Sequence, residues 1–446
     1  MSFMEGQFRP PLALEAVVAD ALARPLPRLT PGKVRLPGLP RKADVVTGMR
    51  RVGKTWLLFQ LMQEAVAAGA PRESLLYLNF EDERLLPLSA RDLQGILDAW
   101  GRRHPELLDR PRTLLLDEVQ NVQGWERFVR RLLDEGGIRV VVTGSSARLL
   151  GREIATALRG RSLTTELFPF SFAEFVAHRG LELPSRWPPP AAVRVRLSGA
   201  LREYLAIGGF PEVQELRPEL RLRVLQEYVD MALLRDVVER HAIADVAPLR
   251  WLLRRFLRQP AGAFSVHRLH RDLVSQGYRV GKDTVHEHVA RLEEAHLLHI
   301  VDLDARSERQ RQVNPRKAYP ADHSLATACS FQAGENIGHL LENVVCAQLL
   351  RQGARLGYVR TRGGREVDFL ARWPDGRVGL IQVAAELAEP ETRRRELLAL
   401  EEAGRERRIP SRTIVTLEDE EEARTPAGTV RIVPAWRWLL EGEGKP

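Results

Sequence analysis

Three features of this 446-residue chain point to an α/β architecture built on a parallel sheet. The apolar run Ala43-Asp44-Val45-Val46-Thr47 leads into the loop Gly48-Met49-Arg50-Arg51-Val52-Gly53-Lys54-Thr55 and then into a helical pattern. A second apolar strand, Arg112-Thr113-Leu114-Leu115-Leu116, ends in the two acids Asp117 and Glu118. Strand and helix patterns alternate around both, and that alternation places helices on both faces of parallel strands.

The order predicted is strand 43–47, helix 54–68, strand 75–80, helix 89–103, strand 113–118, helix 124–135, strand 139–144, helix 147–158 and strand 162–168. A helix over 11–25 precedes it, followed by an extended approach marked by Pro25, Pro27, Pro31, Pro37 and Pro40. The Pro-rich stretch 183–190 is a stiff joint and marks a domain boundary. Over 193–258, apolar positions at helical spacing, as in Leu220, Val224, Tyr228, Met231 and Leu234, predict a small helical bundle placed as a lid over the nucleotide. Helix 266–276, turn 277–281, helix 282–296 and strand 298–303 outline a winged helix. A basic linker, 306–317, leads to a further alternating region that begins near Tyr319. The domains expected are therefore 1–182, 191–260, 261–304 and 319–446.

The loop at 48–55 has the composition and the strand-to-helix setting of a phosphate-binding P-loop. Gly48 and Gly53 let the backbone wrap so that its amides face phosphate oxygens, with Arg50, Arg51, Val52 and Trp56 completing the loop and first helical turn. Lys54 reaches the terminal phosphates, and the Thr55 hydroxyl ligates Mg2+. Asp117 is placed to hold the same ion, and Glu118 to orient and deprotonate an attacking water. Ser145 and Ser146, at the end of the strand 139–144, sit where a side chain senses the γ-phosphate; turn chemistry is the plainer reading. Arg159 and Arg161 lie where one subunit's rim would meet a neighbour's nucleotide, either as an arginine finger or as surface salt-bridge partners.

The net charge is +8, from 67 basic and 59 acidic side chains. Only six of the basic residues are lysine, so the excess reads as arginine-rich composition more than as a nucleic-acid patch. Two cysteines, Cys329 and Cys346, support neither a disulfide framework nor a zinc ribbon. No apolar run has the length of a membrane span and the N-terminus does not read as a signal peptide, so a cytoplasmic protein without membrane association is expected. In the winged-helix outline Arg268, Arg271, Lys282, His286, His288 and Arg291 are candidates for phosphate or base contacts. Asp283, Glu287, Glu293 and Glu294 crowd the same helix and would repel phosphates, leaving a structural or protein-docking module as the alternative. His267, His270, His286 and His288 lack the partners of a metal site.

In the last region a helix bearing Glu342 is followed by strands at 357–360, 366–371 and 379–384, an order that resembles the restriction-endonuclease-like fold. That resemblance implies a metal site of Glu342, Asp368 and Gln382, but Ala384 stands where the fold's lysine belongs. Without the amine, activation of water and stabilisation of a pentavalent phosphate are impaired, so a degenerate, non-cleaving domain is expected and an active nuclease is the lesser reading.

The P-loop, Leu115-Leu116-Asp117-Glu118-Val119-Gln120, Thr143-Gly144-Ser145-Ser146, Gly160-Arg161, Tyr204-Leu205-Ala206-Ile207-Gly208-Gly209-Phe210-Pro211 and Glu366-Val367-Asp368-Phe369 together resemble AAA-type ATPases that carry a C-terminal DUF4143 region. The resemblance implies an additional-strand P-loop domain, a helical lid with a winged helix, a nuclease-like tail that is commonly degenerate, and ATP with Mg2+ as cofactors. Adenine rests on the resemblance and on the lack of an Asn-Lys-x-Asp guanine-reading motif. It also implies a homo-oligomeric ring, such as a hexamer, with Arg159 or Arg161 acting across subunits. Two functions fit: an ATP-driven motor acting on DNA, of branch-migration or helicase type, or a STAND-like nucleotide-controlled switch acting on a protein partner.

Overall fold

The structure, a computed structural model, describes residues 11–85, 88, 92–144, 158, 160–183, 187–305, 307, 315–329 and 337–441. The chain divides into two compact units, 1–167 and 168–446.

In the first unit, β1 (Ala43–Thr47), β2 (Leu75–Asn79), β3 (Arg112–Asp117), β4 (Ile138–Thr143) and β5 (Ser162–Glu166) form one sheet in the order β2-β3-β4-β1-β5. Every pairing is parallel. All five residues of β1 are buried, as a central strand covered on both faces requires. One face packs on α1 (Pro11–Ala23), α3 (Asp92–Arg103) and α4 (Trp125–Glu135), through Val18, Leu93, Trp100, Phe128 and Val129. The other meets Leu57, Leu58, Phe59 and Met62 of α2 (Lys54–Ala67). This order puts the ends of β1, β3 and β4 side by side at one edge, where ligands of open parallel sheets bind. The strands expected from sequence are present within a residue or two. The helix expected over 147–158 lies outside the described residues.

In the second unit, β6 (Ala263–Phe264), β7 (Leu298–Val301) and β8 (Arg316–Pro320) form a small antiparallel sheet beside helices Val266–Ser275 and Lys282–Glu294. A six-stranded mixed sheet follows, in the order β13-β14-β12-β11-β10-β9. Its strands are β9 (Arg355–Arg360), β10 (Glu366–Arg372), β11 (Val378–Val383), β12 (Arg412–Thr416), β13 (Glu421–Thr425) and β14 (Gly428–Pro434). Helix Ile337–Arg351 packs Leu341, Val345 and Leu349 into a core shared with Phe369 and Ile381 of this sheet. Among the described residues no helix is long and apolar enough to cross a membrane.

Two boundaries and one buried face differ from expectation. The first unit ends at Leu167 rather than at 182, because helix Phe172–His178, capped reciprocally by Ser171 and Glu174, buries Phe172, Phe175 and Val176 with Leu201 and Tyr204 of the second unit. The stretch read as a linker, 306–317, ends inside β8, so the small sheet runs past 304 and draws its third strand from 316–320. Of the apolar stripe at Leu220, Val224, Tyr228, Met231 and Leu234 only Tyr228 is buried: Val224 and Met231 are half-buried and Leu220 and Leu234 exposed, whereas Leu225, Val229, Leu233 and Val237 are buried. Helix Pro218–Met231 continues over Ala232–Glu239 with the wider π-helical turn, which shifts the phase of the face it buries.

The Gly208-Gly209 turn is a packing device within the second unit. The Gly209 amide donates to Asp322 Oδ2 (3.0 Å), and its carbonyl accepts from the Phe170 amide (2.7 Å). Gly208 has φ 86°, and a Cβ there would lie 2.3 Å from the Ser324 Cβ. Gly208→Ala is therefore expected to cost about 1–3 kcal/mol from overpacking and the left-handed backbone, read as a lower unfolding midpoint. An unchanged midpoint would remove this turn from the account of the second unit.

Candidate nucleotide site

The loop between β1 and α2 needs its glycines. Gly48 has φ 140° and a Cβ there would lie 2.3 Å from the Leu167 carbonyl oxygen. Gly53 caps α2 in the left-handed conformation (φ 102°) with no side-chain cap on the first-turn amides. Those amides and the helix dipole leave a site for an anion. No acid stands in the first turn to compete. Arg51 adopts φ 68°, an unusual conformation for a residue with a Cβ. Lys54 is buried, and its Nζ donates to the carbonyls of Gly48 (3.0 Å) and Met49 (3.1 Å). The ammonium thus rests against the carbonyls of its own loop. Arg50 pairs with Glu81 at 3.6 Å. Trp56 stands half exposed, edge-on to Phe59.

The acidic half comes from β3. Asp117 is 1% exposed and accepts from three hydroxyls: Thr55 Oγ1 (2.7 Å) and Tyr77 Oη (2.9 Å) on Oδ2, and Thr143 Oγ1 on Oδ1. Burial first, then the Asp117 charge, pushes the Tyr77 phenol well above its ordinary value, so it stays a donor. Glu118 takes the left-handed conformation (φ 51°), its amide donates to Thr143 Oγ1 (3.2 Å), and its carboxylate accepts from Gln120 Nε2. Burial raises the Glu118 pKa, with the charges of Lys54 and Arg50 and the Gln120 bond opposing that shift.

The expected residues Gly48, Arg50, Arg51, Val52, Gly53, Lys54, Thr55, Trp56, Asp117 and Glu118 therefore meet at one sheet edge. Thr55 and Asp117, already in contact, offer the hydroxyl and carboxylate oxygens that Mg2+ prefers. Ser145, Ser146 and Arg159 lie outside the described residues. Arg161 lies just before β5, at the sheet edge opposite the loop, and pairs with Asp134. Sequence reasoning missed Tyr77, Gln120 and Glu81. Tyr77 gave a signal, a hydroxyl within an otherwise apolar strand, and Gln120 stood in the motif that follows β3 without a role assigned to it; Glu81 gave none.

On the helix pair of the second unit Arg268, Arg271, Lys282 and His286 are exposed, together with Arg279. Arg291 is instead tied to Glu287 one turn away (3.0 Å). His288 is buried, which corrects its candidacy for phosphate contact. Among the described residues no group of His, Cys, Asp or Glu is arranged to hold a metal ion.

Glu342, Asp368 and Gln382 also converge, around a residue the sequence reading left out. Lys317 Nζ lies 3.1 Å from Glu342 Oε1, 2.9 Å from Asp368 Oδ1 and 3.0 Å from Glu366 Oε1. Burial opposes its charge, but the three carboxylates outweigh that and hold its pKa well above the usual lysine value. Burial, then the charge of Asp368, raises the Glu342 pKa. A composition signal existed: lysine is rare in this arginine-rich chain, and Lys317 alternates with Tyr319 on one face of a strand.

Comparison with known proteins places an AAA domain at residues 40–176, a domain of unknown function, DUF8612, at 198–335, and another, DUF4143, at 337–438. An uncharacterized protein of Methanocaldococcus jannaschii is 32% identical over 90% of this chain and 89% of its own length. An uncharacterized protein of Haemophilus influenzae is 30% identical over 77% of this chain and 83% of its own. Among solved structures, a Walker-type ATPase of Pyrococcus abyssi aligns with a TM-score of 0.38 at 13% identity, covering 72% of this chain and 94% of that one.

Proposed function

Because this chain belongs to the family of AAA-domain proteins with a C-terminal DUF4143 region, we propose that it is an ATPase coupling Mg–ATP hydrolysis at subunit interfaces to binding or remodelling of DNA. The observation that carries the reading is the convergence of Lys54, Thr55, Asp117 and Glu118 at one edge of a parallel sheet. The uncapped amides of α2 and the Lys54 ammonium bind the phosphates. Thr55 and Asp117 hold Mg2+, which when bound neutralises charge on the β- and γ-phosphates. Glu118 leaves Gln120, accepts a proton from a water and aims that water at the γ-phosphorus. Arg161 lies at the edge opposite its own loop, so stabilisation of the transferring group by it would serve a neighbouring copy, which fits a homo-oligomeric ring.

The exposed Arg268, Arg271, Lys282 and His286 support a winged-helix-like contact with the DNA backbone. Lys282→Ala is expected to weaken binding evenly across sequences and to lower the salt slope by about 1. The decisive measurement is steady-state ATP turnover with and without single-stranded, duplex and four-way-junction DNA at moderate salt. Stimulation that depends on DNA structure and is lost in Lys54→Ala supports the reading. Turnover indifferent to every DNA moves the reading to a nucleotide-controlled switch acting on a protein partner. That second reading is favoured by the resting contact of Glu118 with Gln120 and by the exposed Asp283, Glu287 and Glu293 on helix Lys282–Glu294.

A further inference from the structure

Lys317 is buried in the second unit, far in sequence from the nucleotide loop, and the ATPase reading gives it no task. An ammonium has three N–H donors and no acceptor, and three carboxylates meet this one, those of Glu342, Glu366 and Asp368. Two of the acids accept from further donors too. Glu342 Oε1 also accepts from Tyr319 Oη (2.8 Å), and Asp368 Oδ2 accepts from the Val383 amide (3.0 Å). The Gln382 side-chain oxygen accepts from the Asp368 amide (3.1 Å), so it is turned inward as well.

We propose that Lys317 is a built-in cation: its ammonium fills the space between Glu342 and Asp368 that a divalent metal would otherwise take, closing the C-terminal site and clasping β8 to the six-stranded sheet. Lysine suits the position better than arginine, because a compact ammonium reaches three separate oxygens while a planar guanidinium favours paired ones. The same arrangement accounts for Ala384. A hydrolytic site of this kind needs an amine free to face a phosphodiester, and the amine here is consumed by the acids.

The clasp has a second fastening beside it. The segment following β7 bonds to β9, with the Asp304 amide donating to the Tyr358 carbonyl (2.8 Å) and the Tyr358 amide to the Asp302 carbonyl (3.0 Å). Asp304 also pairs with Arg372 (2.9 Å) and Arg407 (2.6 Å). Both strands of the β7–β8 pair are thereby tied to the C-terminal sheet.

The test titrates Mn2+ into the full chain by calorimetry, without nucleotide, for wild type, Asp368→Asn, Lys317→Ala and the double variant. Wild type and Asp368→Asn are expected to bind the same number of Mn2+ ions. Lys317→Ala is expected to gain one per chain, the double variant to lose that gain, and Mn2+ to raise the unfolding midpoint of Lys317→Ala but not of wild type. A Mn2+ bound by wild type and absent from Asp368→Asn overturns the proposal, as does a folded Lys317→Ala that gains none. Lys317→Met keeps the aliphatic stem without the charge and reads the clasp even where the alanine variant does not fold. Its midpoint is expected to fall below that of wild type, and a midpoint equal or higher overturns the clasp.

Discussion

Glu118→Gln is expected to lower ATP turnover by about a thousandfold while leaving ATP affinity within a few-fold. The substitution keeps the shape of the side chain and its reach to Gln120, and leaves Lys54, Thr55 and Asp117 untouched. What it removes is the ability to accept a proton. The wild-type pH profile carries a second signature of the same role. Burial holds the Glu118 pKa above the ordinary carboxylate range, so the catalytic, deprotonated form is lost as pH falls through that raised value. Turnover should therefore show an acidic limb at higher pH than an exposed glutamate would give, and Glu118→Gln should lack it. Turnover within a few-fold of wild type would remove Glu118 from the chemistry and with it the proposed water activation.

The nucleotide half of the molecule was legible because its signals are local. A P-loop is contiguous, its glycines are demanded by backbone angles at Gly48 and Gly53, and an acid-ended apolar strand announces β3. What the sequence hid was who holds the acids. Tyr77 and Thr143 reach Asp117 only because β2 and β4 flank β3 in the sheet order, and pairing order is not written in any single strand. The same limit hid Lys317. Its partners Glu342, Glu366 and Asp368 come from a helix and a strand that the chain reaches later, so the ammonium that meets these acids comes from β8 and no signal near position 384 announces it. The misplaced end of the stripe at Leu234 has a different cause: 3.6-residue spacing does not hold through Ala232–Glu239, where the helix widens.

Asp117→Ala should behave unlike its neighbour's substitution, because Asp117 is scaffold as well as ligand. Its carboxylate is the common acceptor for Thr55, Tyr77 and Thr143, hydroxyls that tie α2, β2 and β4 to β3. Removing it strands the Tyr77 and Thr143 O–H donors in a buried site and leaves a small cavity, although Thr143 still accepts from the Glu118 amide and Thr55 stands nearer solvent. The expected loss is about 3 kcal/mol of stability, read by denaturant unfolding, together with loss of the Mg2+-dependent part of ATP affinity. Asp117→Asn separates the two roles. Its amide oxygen still accepts, and hydroxyls facing the new NH2 can turn to present lone pairs, so stability should fall less while the Mg2+ dependence is lost equally. If Asp117→Asn keeps Mg2+-dependent ATP binding, the ion is held elsewhere and the assignment of Thr55 and Asp117 as its ligands fails. If Asp117→Ala unfolds at the wild-type midpoint, the three-hydroxyl knot contributes little and the order of this sheet edge rests on its apolar packing alone.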